Sequence, residues 1–239
     1  MVATHLSYLR HAMSNHQTAT IEWRDGIIPV SKQFDDPYFS IASGLEETRH
    51  VFLAGNDLPD RLCDGFHVAE LGFGTGLNML ALALLWQGGE VIRFTSFEAF
   101  PMAAEDIRIS LKAFPEVAEV AEPFLQAWEQ GLRQFRVANV EVDVIIGDAR
   151  ETLCAWGDTA DAWFLDGFSP AKNPELWTSD LMAEVGKHTN ISGTFATYTA
   201  AGHVRKSLAD AGFDVERVTG FGRKRHMSRG TFQGCSPCL

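Results

Sequence analysis

Phe66-His67-Val68-Ala69-Glu70-Leu71-Gly72-Phe73-Gly74-Thr75-Gly76-Leu77-Asn78 decides the fold. Phe66 to Leu71 is a short apolar run of the kind that forms a buried strand. Three alternate glycines follow, which allow a tight turn and let a ligand approach the backbone. Leu77 to Gln87, rich in Leu and Ala and stopped by Gly88-Gly89, then reads as a helix whose first N–H groups suit an anion or carboxylate. A dinucleotide fingerprint places its third glycine one residue later than Gly76 and so has glycine where this chain has Leu77, which argues against a nicotinamide enzyme.

The same alternation continues outward. Val91–Phe97, Val140–Ile146, Ala160–Leu165 and Gly193–Tyr198 read as strands. Pro101–Ala113, Val117–Gln130, Glu175–His188 and Ala200–Ala211 read as helices, and Phe213 opens a final hairpin ending near Phe232. Repeated strand–helix units require right-handed crossovers and a mostly parallel, Rossmann-like sheet covered on both faces. Residues 1–60 break the pattern. Ile21–Val30 reads as a hairpin around Asp25-Gly26, and Gly44–Gly55 as a helix. The expected organisation is an extension over 1–60 packed on a main domain over 61–239. Met1–Ser14 has no clear role.

Composition agrees. The chain has 239 residues, 46% hydrophobic and 21% charged, ordinary for one globular α/β domain. Its longest apolar run, Met79–Trp86, is far too short to cross a bilayer, and Met1–Ser14 lacks the apolar segment of a secretory signal. Cys63, Cys154, Cys235 and Cys238 show no disulfide framework, which fits a cytoplasmic protein. The net charge of −11 at first speaks against nucleic acid. It is unevenly spread, however. From Ala200 onward seven Lys and Arg stand against three acids, a net +4, leaving −15 on the first 199 residues. A local contact with a polyanion therefore stays open.

Acids stand where the strands end. Glu98 closes the second strand 26 residues after Gly72, where a carboxylate can accept both hydroxyls of a ribose. Asp148 follows the third strand and Asp166 the fourth. In doubly wound folds these carboxyl ends form the ligand-binding edge. The loop Glu70-x-Gly72-x-Gly74-x-Gly76 resembles that of class I S-adenosylmethionine (SAM) methyltransferases. That resemblance implies a seven-stranded, mostly parallel sheet and a SAM site built from Glu70, Gly72, Gly74, Thr75, Gly76, Asn78, Glu98, Asp148 and Asp166. In it, Asp148 would bond the adenine amino group.

The most specific stretch is Asp166-Gly167-Phe168-Ser169-Pro170-Ala171-Lys172-Asn173-Pro174. A loop rich in Phe and Pro, followed by Trp177, is costly to expose unless something packs on it. Together with Phe34–Ser40, Glu47-Thr48-Arg49, Phe97-Glu98 and Gly220–Arg225, it closely resembles the tRNA 5-methylaminomethyl-2-thiouridine methyltransferase family, the methyltransferase half of bifunctional MnmC. The resemblance covers nearly the whole chain from about Thr18. It implies transfer of a methyl group from SAM to the primary amine of 5-aminomethyl(-2-thio)uridine at the tRNA wobble position, with the anticodon stem-loop as partner. The chain carries no second glycine fingerprint, so it is expected to lack the FAD-dependent oxidase half, a separate oxidase being a further expected partner.

Methylating an amine requires its neutral form, and an alkylamine is mostly protonated at neutral pH. Asp166 is therefore the candidate to orient the amine and take a proton. Phe168, Pro170 and Tyr198 are candidates for the wall around the base, and Lys172, Arg223, Lys224 and Arg225 for phosphate. Asp36, Tyr38 and Phe39 are expected to border the cofactor site. Cys235 and Cys238 form one C-x-x-C without a second pair, so no metal site is expected. The competing readings are a SAM enzyme acting on a small-molecule amine and a non-catalytic nucleotide- or RNA-binding module.

Overall fold

The computed structural model describes residues 18–40 and 43–234. Met1–Ser14 and the Cys235–Cys238 tail lie outside the described residues.

The first elements form a small antiparallel sheet of β1 (Ile21–Arg24), β2 (Ile28–Ser31) and β3 (Asp36–Pro37). The β1–β2 turn is the expected one, with Asp25 and Gly26 both at positive φ. The short helix α1 (Gly44–Thr48) continues through one π-helical and one 3₁₀ turn to Asn56.

The main sheet has eight strands: β4 (His67–Leu71), β5 (Ile92–Glu98), β6 (Gln134–Val137), β7 (Val140–Ile146), β8 (Ala160–Leu165), β9 (Thr189–Thr197), β10 (Phe213–Thr219) and β11 (His226–Phe232). Their order is β10-β11-β9-β8-β4-β5-β7-β6. The five central strands run parallel, while β10, β11 and β6 are antiparallel to their neighbours. The count corrects the expected seven. The extra strand, β6, is a polar edge of four residues joined to β7 by Ala138-Asn139, with Ala138 at positive φ. Its exposed Gln134 and Arg136 leave only Phe135 and Val137 facing inward, an alternation too short to stand out as a strand. Two boundaries move by four residues. The helix expected from Glu175 begins at Ser179, after a 3₁₀ turn over Pro174–Trp177, where the Thr178 side chain caps the Leu181 N–H. The strand expected from Gly193 begins at Thr189.

The helices are α2 (Leu77–Leu85), α3 (Ala104–Leu111), α4 (Ala118–Glu129), α5 (Ala149–Thr152), α6 (Ser179–Lys187) and α7 (Gly202–Asp210). Alternate residues of the central strands feed two cores. Val68, Phe94, Phe164 and Ala196 pack on the face carrying α2 and α4, while Ala69, Phe97, Trp163 and Phe195 pack on the face carrying α6. Leu45, Val51, Phe52 and Leu53 of the first sixty residues join the α2-side core. This parity has a chemical consequence. Glu70 and Ser96 lie on the same face as Val68 and Phe94, so the Glu70 carboxylate is driven under α2 instead of into solvent.

Register fixes the site. Leu71 is level with Phe97 and with Leu165, and Glu98 with Ile146. The next residues, Gly72 and Asp166, thus leave the sheet on the same rung as Glu98. The strand order reverses between β4 and β8, the point where such sheets open a ligand crevice.

Candidate active site

A cleft of about 1280 Å³ opens at that switch point. Its floor carries Gly72, Gly74, Glu98, Asp148 and Asp166, and its far wall is made by Phe34–Phe39, Glu47 and the turn Phe221–Lys224. Gly72, at φ +85°, lies so close to Gly167 that a Cβ on it would meet the Gly167 Cα at 3.2 Å. Gly167, at φ +115°, sits against Leu176, whose side chain would have to move to admit a Cβ there. Glycine at position 72 lets the β4 and β8 loops touch.

The carboxylates are held differently. Glu98 accepts the Gly74 N–H at 2.9 Å on one oxygen and the Phe100 N–H at 2.7 Å on the other. Burial raises its pKa against these backbone donors. Glu70 is 1% exposed and accepts from the Asn78 side chain (2.9 Å) and the Ser96 hydroxyl (2.7 Å). Burial raises its carboxyl well above the usual range. The Asn78 amide also donates to Asp166 Oδ2 at 2.8 Å, and its oxygen accepts from the Thr48 hydroxyl at 2.8 Å. Asn78 therefore bridges two carboxylates, and Thr48 fixes which end of its amide faces them. The other Asp166 oxygen accepts its own neighbour, the Gly167 N–H, at 2.8 Å. Burial pushes the Asp166 carboxyl up to about 6, opposed by the Asn78 and Gly167 donors. Asp148 caps α5 through the Arg150 N–H and pairs with the Arg150 guanidinium, which lowers its pKa.

The Asp166–Pro174 loop is not bare. Phe168 stacks on Phe34 at 4.7 Å and meets the Tyr38 ring edge-on at 5.0 Å. Asp36 accepts the Ser169 N–H, buried Trp177 donates to the Phe168 carbonyl at 2.9 Å, and Tyr198 donates to the Gly167 carbonyl at 2.8 Å. The partner that this apolar loop requires is the segment after β2.

Residues 115–233 match a family of S-adenosyl-L-methionine-dependent methyltransferases. The tRNA 5-methylaminomethyl-2-thiouridine biosynthesis bifunctional protein MnmC of Pseudomonas paraeruginosa (strain DSM 24068 / PA7) is 44% identical over 236 residues, covering 93% of this chain and 36% of its own length. The MnmC protein of Caulobacter sp. (strain K31) is 42% identical over 229 residues, covering 89% and 38%. The crystal structure of MNMC2 from Aquifex Aeolicus matches with a TM-score of 0.70 at 28% identity, over 94% of this chain and 74% of that one. The chain belongs to the MnmC-related S-adenosyl-L-methionine-dependent methyltransferases. It spans little more than a third of the length of the MnmC relatives. Among the described residues, no helix is long and apolar enough to cross a membrane.

The site of this MnmC-related methyltransferase suits a cofactor that carries a sulfonium and an ammonium. Its acids outnumber its bases, so a cation is favoured inside it. Gly72 and Gly74, both at positive φ, line it.

Not every predicted residue meets there. Gly72, Gly74, Thr75, Asn78, Glu98, Asp148, Asp166, Phe168, Tyr198, Arg223 and Lys224 line the cleft, as do Asp36, Tyr38 and Phe39. Glu70 lies beneath the floor, reached through Asn78. Gly76, Pro170, Lys172 and Arg225 are not among the lining residues. Two expected phosphate ligands already have carboxylate partners: Lys172 pairs with Asp35 at 2.9 Å and Lys224 with Glu47 at 2.8 Å. Sequence reasoning missed Glu47 and Thr48 as site residues. Their only signal was membership of the Glu47-Thr48-Arg49 string.

Proposed function

We propose that this chain transfers a methyl group from S-adenosylmethionine to the primary amine of 5-aminomethyl(-2-thio)uridine at the wobble position of tRNA. The observation that carries this reading is a carboxylate, Asp166, poised near 6 in a cleft beside the glycine loop, in a chain 42–44% identical to MnmC proteins over about nine-tenths of its length. We take residues 1–60 as an extension and 61–239 as the methyltransferase unit.

When bound, the cofactor supplies an electrophilic methyl group on a sulfonium. The side chains divide the remaining work. Gly72, Gly74 and Thr75 would hold the cofactor, Glu98 would take its ribose hydroxyls, and Asp148 would lie at its adenine. Asn78 orients Asp166 through its amide. Asp166 accepts a proton from the substrate ammonium, which frees the nitrogen lone pair for in-line attack. Positioning that lone pair supplies much of the rate. Phe168, already stacked on Phe34, offers a face to the base. Arg223 and Arg225 meet phosphate. An FAD-dependent oxidase acting before this step, in the same protein or in another, fits the bifunctional build of the MnmC relatives.

The test is methyl transfer from labelled S-adenosylmethionine to tRNA carrying 5-aminomethyluridine, beside the free nucleoside. Label in the tRNA is expected. Label in the nucleoside alone would assign the chain to small amines.

A further inference from the structure

The cleft holds an ammonium of its own. The Lys224 Nζ lies 2.8 Å from Glu47 Oε1 and 4.1 Å from the centre of the Tyr198 ring. The Glu47 side chain is only 12% exposed. The Tyr198 hydroxyl is tied to the Gly167 carbonyl, next to Asp166, and Lys224 and Glu47 both act electrostatically on Asp166. A carboxylate, an aromatic face and partial removal from water are the three components of alkylammonium recognition.

We propose that Glu47, Tyr198 and Asp166 form the recognition box for the ammonium of the substrate amine, and that Lys224 fills this box as a built-in competitor until substrate displaces it. The proposal rests on the reading of an amine substrate and deepens it. Glu47 becomes a substrate-binding residue, and Lys224 a specificity residue. Lys224 is able to leave. It sits in the turn between β10 and β11 with its side chain 46% exposed, two residues after Gly222 at φ +57°. Once released, it stands in sequence between Arg223 and Arg225, where a third cation strengthens a phosphate contact. Every amine must displace Lys224, but only one attached to a polyanion gives the released lysine a new partner. The device thus favours tRNA over free amines of similar chemistry.

Two variants that break the same ion pair test this. Calorimetry is run on the protein saturated with S-adenosylhomocysteine, with 5-aminomethyluridine and its uncharged counterpart 5-hydroxymethyluridine as probes. Glu47→Gln is expected to weaken binding of the amine about tenfold and leave the hydroxyl compound unchanged. Lys224→Gln is expected to tighten the amine about two- to fivefold, the range set by a partly exposed ion pair, while raising KM for tRNA. Glu47→Asp is expected to recover part of the loss. A purely structural ion pair predicts that both variants weaken binding together, and that result overturns the proposal. Loss of S-adenosylmethionine affinity in Glu47→Gln also overturns it, by assigning Glu47 to the cofactor's own ammonium. Wild-type protein that fails to methylate tRNA refutes the proposed function alone, because the calorimetry still decides whether the box prefers an ammonium.

Discussion

Replacing Asp166 with Asn keeps the size of the side chain and removes its charge. Asp166 accepts from Asn78 on one oxygen and from Gly167 on the other, and Asn retains only one acceptor. Losing the proton acceptor is expected to lower turnover about 10²- to 10⁴-fold, with S-adenosylmethionine affinity changed only a few-fold. The wild-type pH profile follows from a carboxyl at about 6. About 90% is ionised at pH 7 and about 10% at pH 5, so kcat/KM is expected to fall about tenfold per pH step well below 6. The stability difference carries the opposite sign. Because the folded-state pKa is raised above the reference 3.8, the protonated form is the better folded one. The wild type therefore loses stability as pH rises through 6. The displacement corresponds to about 3 kcal/mol at most, so Asp166→Asn gains on wild type by up to about that amount between pH 4 and pH 7.5. Single-turnover transfer to tRNA, titration with cofactor and urea unfolding at the two pH values measure the three quantities. An Asp166→Asn variant that keeps a tenth of wild-type turnover, or a wild-type profile flat through pH 6, would refute the assignment of Asp166 as proton acceptor.

Further expectations follow from the same geometry. Gly72→Ala combines a strained φ with a contact to the Gly167 backbone, and is expected to cost about 1–3 kcal/mol in thermal unfolding and to weaken cofactor binding. Glu98→Ala leaves the Gly74 and Phe100 N–H groups without their acceptor, and is expected to lower cofactor affinity at least tenfold, read by calorimetry. Phe168→Ala removes the stack with Phe34. It is expected to raise KM for both nucleoside and tRNA while cofactor affinity is kept. Arg223→Gln and Arg225→Gln are each expected to reduce the salt dependence of tRNA binding by about one phosphate contact and to leave nucleoside binding unchanged.

Much of this site was legible in the sequence, because its parts stand at the ends of strands. The run through Glu70 to Leu77 specified strand, loop and helix by local pattern alone. Glu98 and Asp166 followed, since a parallel sheet brings successive strand ends to one edge. What escaped local reading had weak local signal. Strand β6 is only four residues long, with just Phe135 and Val137 facing inward, and the start of α6 depended on the Thr178 cap.

Tertiary structure decided the pairings. The Thr48–Asn78, Asn78–Asp166 and Glu47–Lys224 contacts join residues 30, 88 and 177 positions apart, so no spacing rule reaches them. The sequence by itself determined an α/β chain with acids along the carboxyl edge of its sheet. Only the folded chain turned Asn78 into a bridge between two carboxylates, covered the Phe168 loop with the segment after β2, and seated Lys224 against Glu47. The physical reason is that strand ends are placed by hydrogen-bond register, which local pattern encodes, whereas the partner of a side chain depends on which distant segment fills the space above it.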